Sequence, residues 1–370
     1  MRTPLDLFKQ LCPHPLQKAF CDVDLRLVGG CVRDFFLGKK ICDVDLVVDI
    51  PPQEIVRRLT QNKIHYFLTG VEFGTVTAHL QGENFEMTSL RQDVSYQGRH
   101  PEVAYTKDFG QDAARRDFTF NALYVDKCEV LFDPFGGRGD LDAGIVRFIG
   151  NPGARILEDP LRILRFYRFF GKLGKSMDDA SRGAARDHMN LVWGLSKERI
   201  WDELKKIFAL ERVFEVLRLL GEDGFYKGMK VPALNTYLPL LSPLTLFLTL
   251  DISVSMNWTK EEAKFLKTLK NLRHSHENPL SLSLHHPKNV IEQLIYLRFL
   301  DHTYTTSQME QWTRDLSNYT VPQFPLNGDD LLSLGIEQGV DIGKILKNIR
   351  KIWEKSPQMS KEACLELIKR

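Results

Sequence analysis

The pattern of hydrophobic and polar positions changes once along the chain, at about residue 151. Before that point, short apolar runs alternate with brief amphipathic stretches, which is typical of a small domain of strands and helices. A glycine pair after the first run is followed by a predicted helix that ends at Leu37. The predicted strands are residues 25–28, 44–50, 74–80, 84–90 and 130–133.

From residue 151 onward the apolar positions follow a helical period, which predicts an all-helical remainder without a solenoid repeat. The most apolar stretch, residues 238–250, is interrupted by Pro239 and Pro243 and is shorter than the ~20 residues that span a bilayer. We therefore expect a buried helix there. The other predicted helices are residues 160–173, 196–210, 212–220, 260–272, 287–300 and 342–354.

Composition indicates a globular protein of two or more domains, because 43% of the 370 residues are hydrophobic and 26% are charged. Six cysteines form no CxxC pair and no cluster with histidine suited to zinc. The first twenty residues lack the apolar core of a secretory signal. These features predict free thiols and a cytoplasmic location. A net charge of +2 gives little attraction for a polyanion, so RNA binding would need a locally basic face.

Residues 27–49, LVGGCVRDFFLGKKICDVDLVVD, carry the sharpest chemical pattern. Gly29 and Gly30 have no side chain, so a phosphate can approach the backbone N–H groups of the turn and the following helix. Arg33 can pair with phosphate oxygens. The segment contains neither the GxxxxGK[ST] of a P-loop nor the GxGxxG of a dinucleotide fold. It predicts a triphosphate site of another kind.

Asp43 and Asp45 lie two positions apart, and on a strand that spacing places both carboxylates on one face, where they can hold Mg²⁺. Two metal ions roughly 3.5–4 Å apart would activate an attacking hydroxyl and stabilise the leaving pyrophosphate. An acidic pair at a strand end is, by itself, usually solvated. Its position after the glycine pair favours the catalytic interpretation.

The order of these motifs resembles the class II tRNA nucleotidyltransferase (CCA-adding enzyme) and bacterial poly(A) polymerase family, whose first motif is GGxVRDxxLG followed by DxD. Residues 115–123 (RRDFTFNAL), 157–168 (LEDPLRILRFYR) and 195–204 (LSKERIWDEL) are similar to later family motifs. The resemblance covers about residues 24–210. It implies an α+β fold, with a polymerase-β-like nucleotidyltransferase head of mixed sheet and helices, followed by an all-α neck, body and tail.

The resemblance also implies domains, cofactor and partners. Residues 1–150 would form the catalytic head, residues 151–220 a neck with base-recognition helices, and residues 221–370 a helical body and tail that bind tRNA. Such binding would use the shape and phosphates of the acceptor arm. The implied substrates are CTP, ATP and the 3′ end of tRNA, and the implied cofactor is Mg²⁺.

The family's metal-binding carboxylates correspond to Asp43 and Asp45, and its triphosphate-binding residues to Gly29, Gly30 and Arg33. Glu86, on the strand expected beside the DxD strand, is the candidate third catalytic carboxylate. A solvated glutamate on a surface strand is the common alternative for Glu86.

The RRDFTFNAL segment is the predicted ribose site. Asp117 and Asn121 lie four positions apart and are predicted to share a helix face, where they could bracket a ribose hydroxyl and select ribonucleotides. Arg115 and Arg116 would add phosphate contacts. In isolation, Asp117 could instead be a helix N-cap beside two solvated arginines.

Glu158, Asp159 and Arg162 form an EDxxR that resembles the family's amino-acid template for the incoming base. Cytosine and adenine both present an amine donor beside a ring-nitrogen acceptor, so one carboxylate and one guanidinium can pair with either base. Uracil and guanine reverse that order. The Asp159–Pro160 pair is also an ordinary helix start, and capping does not exclude templating.

Arg162, Arg165 and Arg168 recur at three-residue spacing along the same predicted helix. The stripe could contact the nucleotide or the RNA end, and we assign Arg162 and Arg165 to nucleotide binding. A solvated basic face is the more common origin of such spacing.

Template-independent addition of CCA to tRNA is the predicted activity. Residues 91–112 are similar to a flexible loop that family members able to add the terminal A retain, and no deletion is apparent. Poly(A) synthesis is the main alternative, and A-only or CC-only addition stays open. An inactive RNA-binding protein is disfavoured by the intact DxD, and a metal-dependent phosphohydrolase by the absence of a His-Asp dipeptide from the sequence.

Overall fold

The structure of the chain, a computed structural model, describes residues 6–68, 70, 74–97, 100–226, 241–250, 256–301, 303–337 and 339–368. Its strands are, in chain order, β1 Leu25–Val28, β2 Val44–Val48, β3 His65–Phe67, β4 Thr75–Leu80, β5 Glu83–Ser89, β6 Arg91–Gln97, β7 His100–Tyr105, β8 Tyr124–Asp126, β9 Leu131–Phe132, β10 Ile145–Val146 and β11 Ser176–Met177.

Helices occupy both compact units of the chain, of which the first comprises residues 1–231 and 251–257 and the second residues 232–250 and 258–370. Those of the first unit are α1 Leu7–Leu11, α2 His14–Ala19, α3 Gly30–Phe36, α4 Pro52–Gln61, α5 Phe109–Ala114, α6 Gly137–Ala143, α7 Pro152–Glu158, α8 Leu161–Leu173, α9 Asp179–Asp187, α10 Lys197–Phe208 and α11 Val213–Glu222. Those of the second unit are α12 Pro243–Thr249, α13 Lys260–Arg273, α14 Pro279–Leu282, α15 Lys288–Leu300, α16 Thr306–Asn318, α17 Gly328–Ser333, α18 Val340–Trp353 and α19 Lys361–Glu366.

A seven-stranded sheet in the order β3-β4-β5-β2-β1-β8-β9 organises the first part of the chain. Strands β2 and β5 run parallel, whereas the other neighbours run antiparallel. The sheet buries Val28, Val47 and Tyr124 against Phe109 of α5. The mixed sheet expected for the head is thus confirmed, and each predicted strand agrees with an observed one to within two residues.

The turn between β1 and α3 depends on a glycine at position 29. Gly29 has φ +71° and ψ −118°, a conformation that side chains disfavour, and its amide donates to the carbonyl of Leu123 at 3.1 Å. A Cβ there would lie 3.4 Å from Nη1 of Arg116. The glycine therefore lets the start of α3 lie close to the RRDFTFNAL segment.

Residues 91–112, for which we expected a loop, contain regular structure where they are described. Strands β6 and β7 form a separate antiparallel sheet, and α5 follows them. Asp108 caps α5, because its carboxylate accepts from the amide of Gly110 at 2.7 Å. The likeness of this segment to the family's flexible loop stays a prediction.

The helices after residue 151 pack on the head through aromatic rings. Phe118 lies 4.9 Å from Phe148 and 5.3 Å from Phe169 of α8, measured between ring centroids, and Phe166 of α8 stacks on Phe148 at 5.4 Å. Such pairs contribute about 0.5–1.5 kcal/mol each beyond the area they bury. This cluster fixes α8 beside the RRDFTFNAL segment within the first unit.

After residue 151, the regular structure of the described residues is helical except for one short strand. Strand β11 pairs in parallel with β10, so the all-helical expectation after residue 151 needs this correction. The two-residue strand is too short for a period to mark it. The helices predicted at 160–173, 196–210, 212–220, 260–272, 287–300 and 342–354 agree with observed helices to within two residues at each end.

The second unit consists of helices wherever it is described. Reciprocal capping boxes, Thr259 with Glu262 and Thr305 with Gln308, begin α13 and α16. The helix expected at 238–250 is the shorter α12, which begins at Pro243 after the N-cap Ser242; residues 238–240 lie outside the described residues. Of the helices in the described ranges, none has the length and apolar character needed to cross a membrane.

Candidate active site

Acidic residues are neighbours where β2 and β5 run parallel, in the interior of the sheet. Asp45 is the second residue of β2, and Glu86 of β5 is its partner in the strand register. Asp43 lies just before β2 begins. Asp45 is half-buried, whereas Asp43 and Glu86 are exposed. The neighbouring position predicted for Glu86 is therefore confirmed, while its catalytic role stays a prediction.

The pKa of Asp45 is raised to about 6, first by burial and then by the negative charges of Glu86 and Asp43, against the opposing effect of Arg116. A divalent cation would relieve this repulsion, and carboxylate oxygens are the ligands that Mg²⁺ prefers. In the part of the chain that is described, however, no three acidic, histidine or cysteine side chains converge as a metal-binding group. The carboxylates of Asp43, Asp45 and Glu86 are ligands of the kind that bind a divalent cation. They do not, however, converge on a single point.

A cavity of about 430 Å³ opens on one side of Asp45, and we call it the lysine-lined cavity. Backbone from the start of α3 borders it, as the glycine-turn motif predicts for a phosphate site. Its charged lining residues are Arg33, Asp34, Lys39, Lys40, Asp43, Asp45 and Lys172.

Arg33 is buried at this cavity and is already paired. Its Nε and Nη2 donate to the carboxylate of Asp34 at 2.9 and 3.0 Å, and its Nη1 donates to Oδ1 of Asn121 at 2.7 Å. Burial acts to raise the pKa of Asp34, but Arg33 and Lys172 outweigh it and lower the pKa. The arginine is thus held at the cavity wall by two acceptors.

Asp117 and Asn121 do not share a helix face, so that prediction is wrong. Helix α5 ends at Ala114, and Asn121 lies in a 3₁₀ turn, Thr119–Asn121. The turn nevertheless brings the two together, because Nδ2 of Asn121 donates to Oδ1 of Asp117 at 2.9 Å. The N-cap alternative for Asp117 fails for the same reason, since no side chain caps this turn.

Asp117 is buried against Arg165 of α8, whose Nε and Nη2 donate to it at 2.8 and 2.6 Å. Burial acts to raise the pKa of Asp117, but Arg165, Asn121 and the amide of Phe118 hold it at about 2. Asp117 therefore stays ionised as the link between the head and α8.

Asp45 also borders a second cavity of about 210 Å³, which we call the arginine-lined cavity. Its charged lining residues are Asp45, Glu86, Arg91, Arg115 and Arg116. Arg115 and Arg116 both pair with Asp112, which is fully buried, and Arg116 also donates to the hydroxyl of Tyr124 at 2.9 Å. They are not the solvated arginines of the alternative interpretation.

The three EDxxR residues do not pair with one another as a unit. Nη1 of Arg162 donates to Glu158 at 2.5 Å, which also pairs with Arg155. Asp159 instead accepts two hydrogen bonds from Arg199 of α10, at 2.8 and 3.0 Å, and one from the amide of Leu161 at 3.2 Å. The last bond agrees with the helix-start alternative, and both interpretations of Asp159 remain compatible.

The predicted arginine stripe on α8 is not a solvated face. Arg165 pairs with Asp117, and Arg168 pairs with the buried Glu203 of α10. Each arginine therefore ties α8 to another element. Those ion pairs need partners far away in sequence, which spacing alone does not reveal.

Lys172, Arg199 and Asp112 were not predicted from the sequence. Arg199 lies in LSKERIWDEL, a motif noted only as a family likeness. Lys172 lies seven residues after Arg165, two turns along the same helix, and that spacing is the one signal available for it. Asp112 shows no sequence signal, because its role comes from being buried beneath two arginines.

All six cysteines lie within the described residues and are free, which agrees with the predicted thiols. Cys42 is exposed at the lysine-lined cavity, and Cys31 is buried beneath it. Burial raises the pKa of Cys31 to about 11, so this thiol stays protonated at neutral pH.

Comparison with known proteins identifies similar sequences along the chain. The poly A polymerase head domain matches residues 25–147, and a probable RNA and SrmB-binding site of polymerase A matches residues 176–238. The CCA tRNA nucleotidyltransferase 1, mitochondrial, of Mus musculus is 32% identical over 94% of this chain and 87% of its own length. The CCA-adding enzyme of Geobacillus kaustophilus is 29% identical over 84% of this chain and 72% of its own.

Solved structures share the fold. The Bacillus stearothermophilus CCA-adding enzyme in complex with CTP has a TM-score of 0.77 at 22% identity, covering 100% of this chain and 98% of that chain. The Thermotoga maritima CCA-adding enzyme complexed with tRNA has a TM-score of 0.71 at 18% identity, covering 99% and 98%. Together these matches support a head with a mixed sheet followed by helices.

Proposed function

Because the chain belongs to the CCA tRNA nucleotidyltransferase family, we propose that it adds C, C and A to the 3′ end of tRNA from CTP and ATP, without a nucleic-acid template. The chain covers 87% of the length of its vertebrate relatives. The observation that carries the proposal is the position of Asp45, which borders one cavity rich in lysine and another rich in arginine. A nucleotide and an RNA end need two such neighbouring anion sites.

The proposed reaction is attack of the RNA 3′-oxygen on the α-phosphorus of the nucleotide. The bond to the β-phosphate oxygen breaks and pyrophosphate leaves. Members of this family generally use a divalent metal ion, and we propose Mg²⁺, which would lower the pKa of the hydroxyl and neutralise phosphate charge. Asp43, Asp45 and Glu86 would hold it. Gly29, Gly30 and Arg33 would bind the triphosphate, and Arg115 and Arg116 would add phosphate contacts.

The neck would supply selectivity for ribose and base. Asp117, Asn121 and Arg165 form one hydrogen-bonded group beside Arg33, which supports a shared role at the ribose. Glu158, Asp159 and Arg162 would select cytosine and adenine. Since Asp159 pairs with Arg199 and Arg162 with Glu158, base recognition would require these partners to be exchanged or shared.

We propose residues 1–150 as the catalytic head, 151–220 as the neck and 221–370 as the tRNA-binding body and tail. The helices of the second unit would then contact the acceptor arm through its shape and phosphates. A cytoplasmic location is part of the proposal, although the vertebrate relatives carry the word mitochondrial in their names.

Poly(A) synthesis is the second candidate, favoured by the match of residues 25–147 to the poly A polymerase head domain. A-only and CC-only addition use the same head. One experiment separates them: the purified full chain is incubated with tRNA lacking CCA, with tRNA ending in CC, and with oligo(A), in CTP plus ATP and Mg²⁺. Products that stop after CCA on both tRNAs support the proposal, while homopolymer growth on oligo(A) refutes it in favour of poly(A) synthesis.

A further inference from the structure

Lys172 reaches the lysine-lined cavity from the last turn of α8, outside the catalytic strands. Its Nζ lies 3.2 Å from Oδ2 of Asp34, and its side chain is half-buried. Lys39 donates from the other side of the cavity to the backbone carbonyl of Lys172, also at 3.2 Å. The cavity wall is therefore completed by a residue of the helix that follows the head.

Helix α8 holds the head at two points on one face. Arg165 binds Asp117 and Lys172 binds Asp34, and the two basic residues are seven positions apart, about two helical turns. Between the two points, the ring of Phe169 lies 5.1 Å from the guanidinium of Arg33 and 5.6 Å from that of Arg165. Lys172 is thus fixed relative to Arg33.

A continuous set of hydrogen bonds connects the two ends. We call it the α8 relay, and its members are Lys172, Asp34, Arg33, Asn121, Asp117 and Arg165. Asp34 accepts from both Lys172 and Arg33, so removing the ammonium group would leave Arg33 as its one remaining basic partner in the relay. Lys172 can therefore influence the orientation of Arg33 through Asp34.

Four basic residues and three carboxylates, Asp34, Asp43 and Asp45, line this cavity, so its formal charge is positive by one. Arg33, Lys39, Lys40 and Lys172 all line the cavity. The pKa of Lys172 is lowered by burial and then by the charge of Arg33, as expected when cations are crowded together. A polyanion would relieve this crowding, and the cavity has the volume of a small-ligand site.

We propose that Lys172 binds the polyphosphate of the incoming nucleotide and, through Asp34, orients Arg33. This rests on the proposed function, since the nucleotide of that reaction supplies the polyphosphate. The contact is with phosphate, so it does not depend on the base. It also makes triphosphate binding depend on the position of α8.

The test compares Lys172→Met, Lys172→Arg and the control Lys175→Met in the full chain. Lys175 is exposed two residues past the end of α8 and does not line the cavity. Calorimetry with Mg²⁺ measures the Kd of CTP, ATP, UTP and inorganic tripolyphosphate. In Lys172→Met, loss of one charge-assisted contact should raise the Kd of all four ligands by the same factor, about tenfold. Lys172→Arg should recover most of the affinity, and Lys175→Met should match the wild type.

Steady-state assays and thermal melts exclude a merely structural role. We expect the KM for CTP and ATP to rise together in Lys172→Met while kcat changes much less. Unchanged tripolyphosphate affinity, or a loss that Lys172→Arg fails to recover, would overturn the proposal even if the melting temperature falls. If the wild type binds tripolyphosphate but extends no RNA, the proposed function fails. The affinities of the Lys172 variants then still show whether Lys172 binds polyphosphate.

Discussion

At the scale of single residues, the negative charge of Asp45 destabilises the folded protein. Its pKa of about 6 in the native protein exceeds the ordinary value of 3.8, so the native state binds a proton more tightly than the unfolded chain does. The resulting loss in the free energy of unfolding is absent below pH 3.8, grows between the two pKa values and is complete above pH 6. At pH 8 it amounts to at most about 3 kcal/mol.

Asp45→Asn should therefore separate stability from activity. In EDTA at pH 8, we expect the variant to gain up to about 3 kcal/mol in the free energy of unfolding, because a neutral amide removes the buried charge. Nucleotide incorporation with Mg²⁺ should be lost. Urea unfolding and a tRNA extension assay measure the two effects. The exposed Asp43→Asn should lose activity with little change in stability, and an Asp45→Asn variant that is less stable than the wild type in EDTA would contradict the argument.

Asp159→Ala tests the base template at the same scale. Removing the carboxylate deletes the acceptor for the amine of cytosine or adenine, so the preference for CTP and ATP over UTP and GTP should fall by at least about tenfold. Competition assays on tRNA lacking CCA give the ratio of kcat/KM values. Asp187→Ala, at the exposed end of α9, is the control, and unchanged rejection of UTP and GTP would remove Asp159 from base selection.

At the scale of elements, periodicity predicted the long helices and the main strands because their burial follows from local pattern. It could not predict the 3₁₀ turn at Thr119–Asn121, whose conformation depends on packing against Gly137 of α6. A Cβ at Gly137 would lie 2.1 Å from the carbonyl oxygen of Thr119. The sequence therefore predicted that Asp117 and Asn121 lie together, as they do, but on a helix face instead of in this turn.

The β1–α3 turn gives a prediction about backbone conformation. Gly29→Ala should lower the free energy of unfolding by about 1–3 kcal/mol, because alanine is strained at φ +71°. The control is Gly139→Ala, inside α6, where a Cβ meets nothing within 4 Å and a gain of about 0.5–1 kcal/mol is expected. Equal stability of Gly29→Ala and the wild type would show that the turn tolerates a side chain.

At the scale of the whole molecule, fold class and motif order were predictable from the sequence, whereas ion-pair partners were not. Arg33, Arg162 and Arg165 were selected as ligand-binding residues, yet each is paired with a residue of this chain. A motif reports which residue types are present, while their partners depend on tertiary structure. The pairing of Asp159 with Arg199 across 40 positions is the clearest case.

Net charge leads to a prediction about RNA binding. With +2 overall, attraction for tRNA has to come from local phosphate contacts, so affinity should fall with salt along a log–log line whose slope is about −0.7 to −0.9 per contact. Fluorescence anisotropy between low and moderate salt measures the slope. Lys172→Met should leave this slope unchanged, since its contact is with the nucleotide, and salt-independent binding would exclude phosphate contacts as the source of affinity.

The two cavities that border Asp45 have a stereochemical consequence. If the attacking oxygen enters from the arginine-lined side and the departing group lies on the lysine-lined side, displacement takes place in line and inverts the configuration at phosphorus. A nucleotide that bears sulfur on its α-phosphate in one defined configuration would then give a single RNA product with the inverted configuration at phosphorus. A mixture of both configurations at phosphorus in the product would be incompatible with in-line displacement.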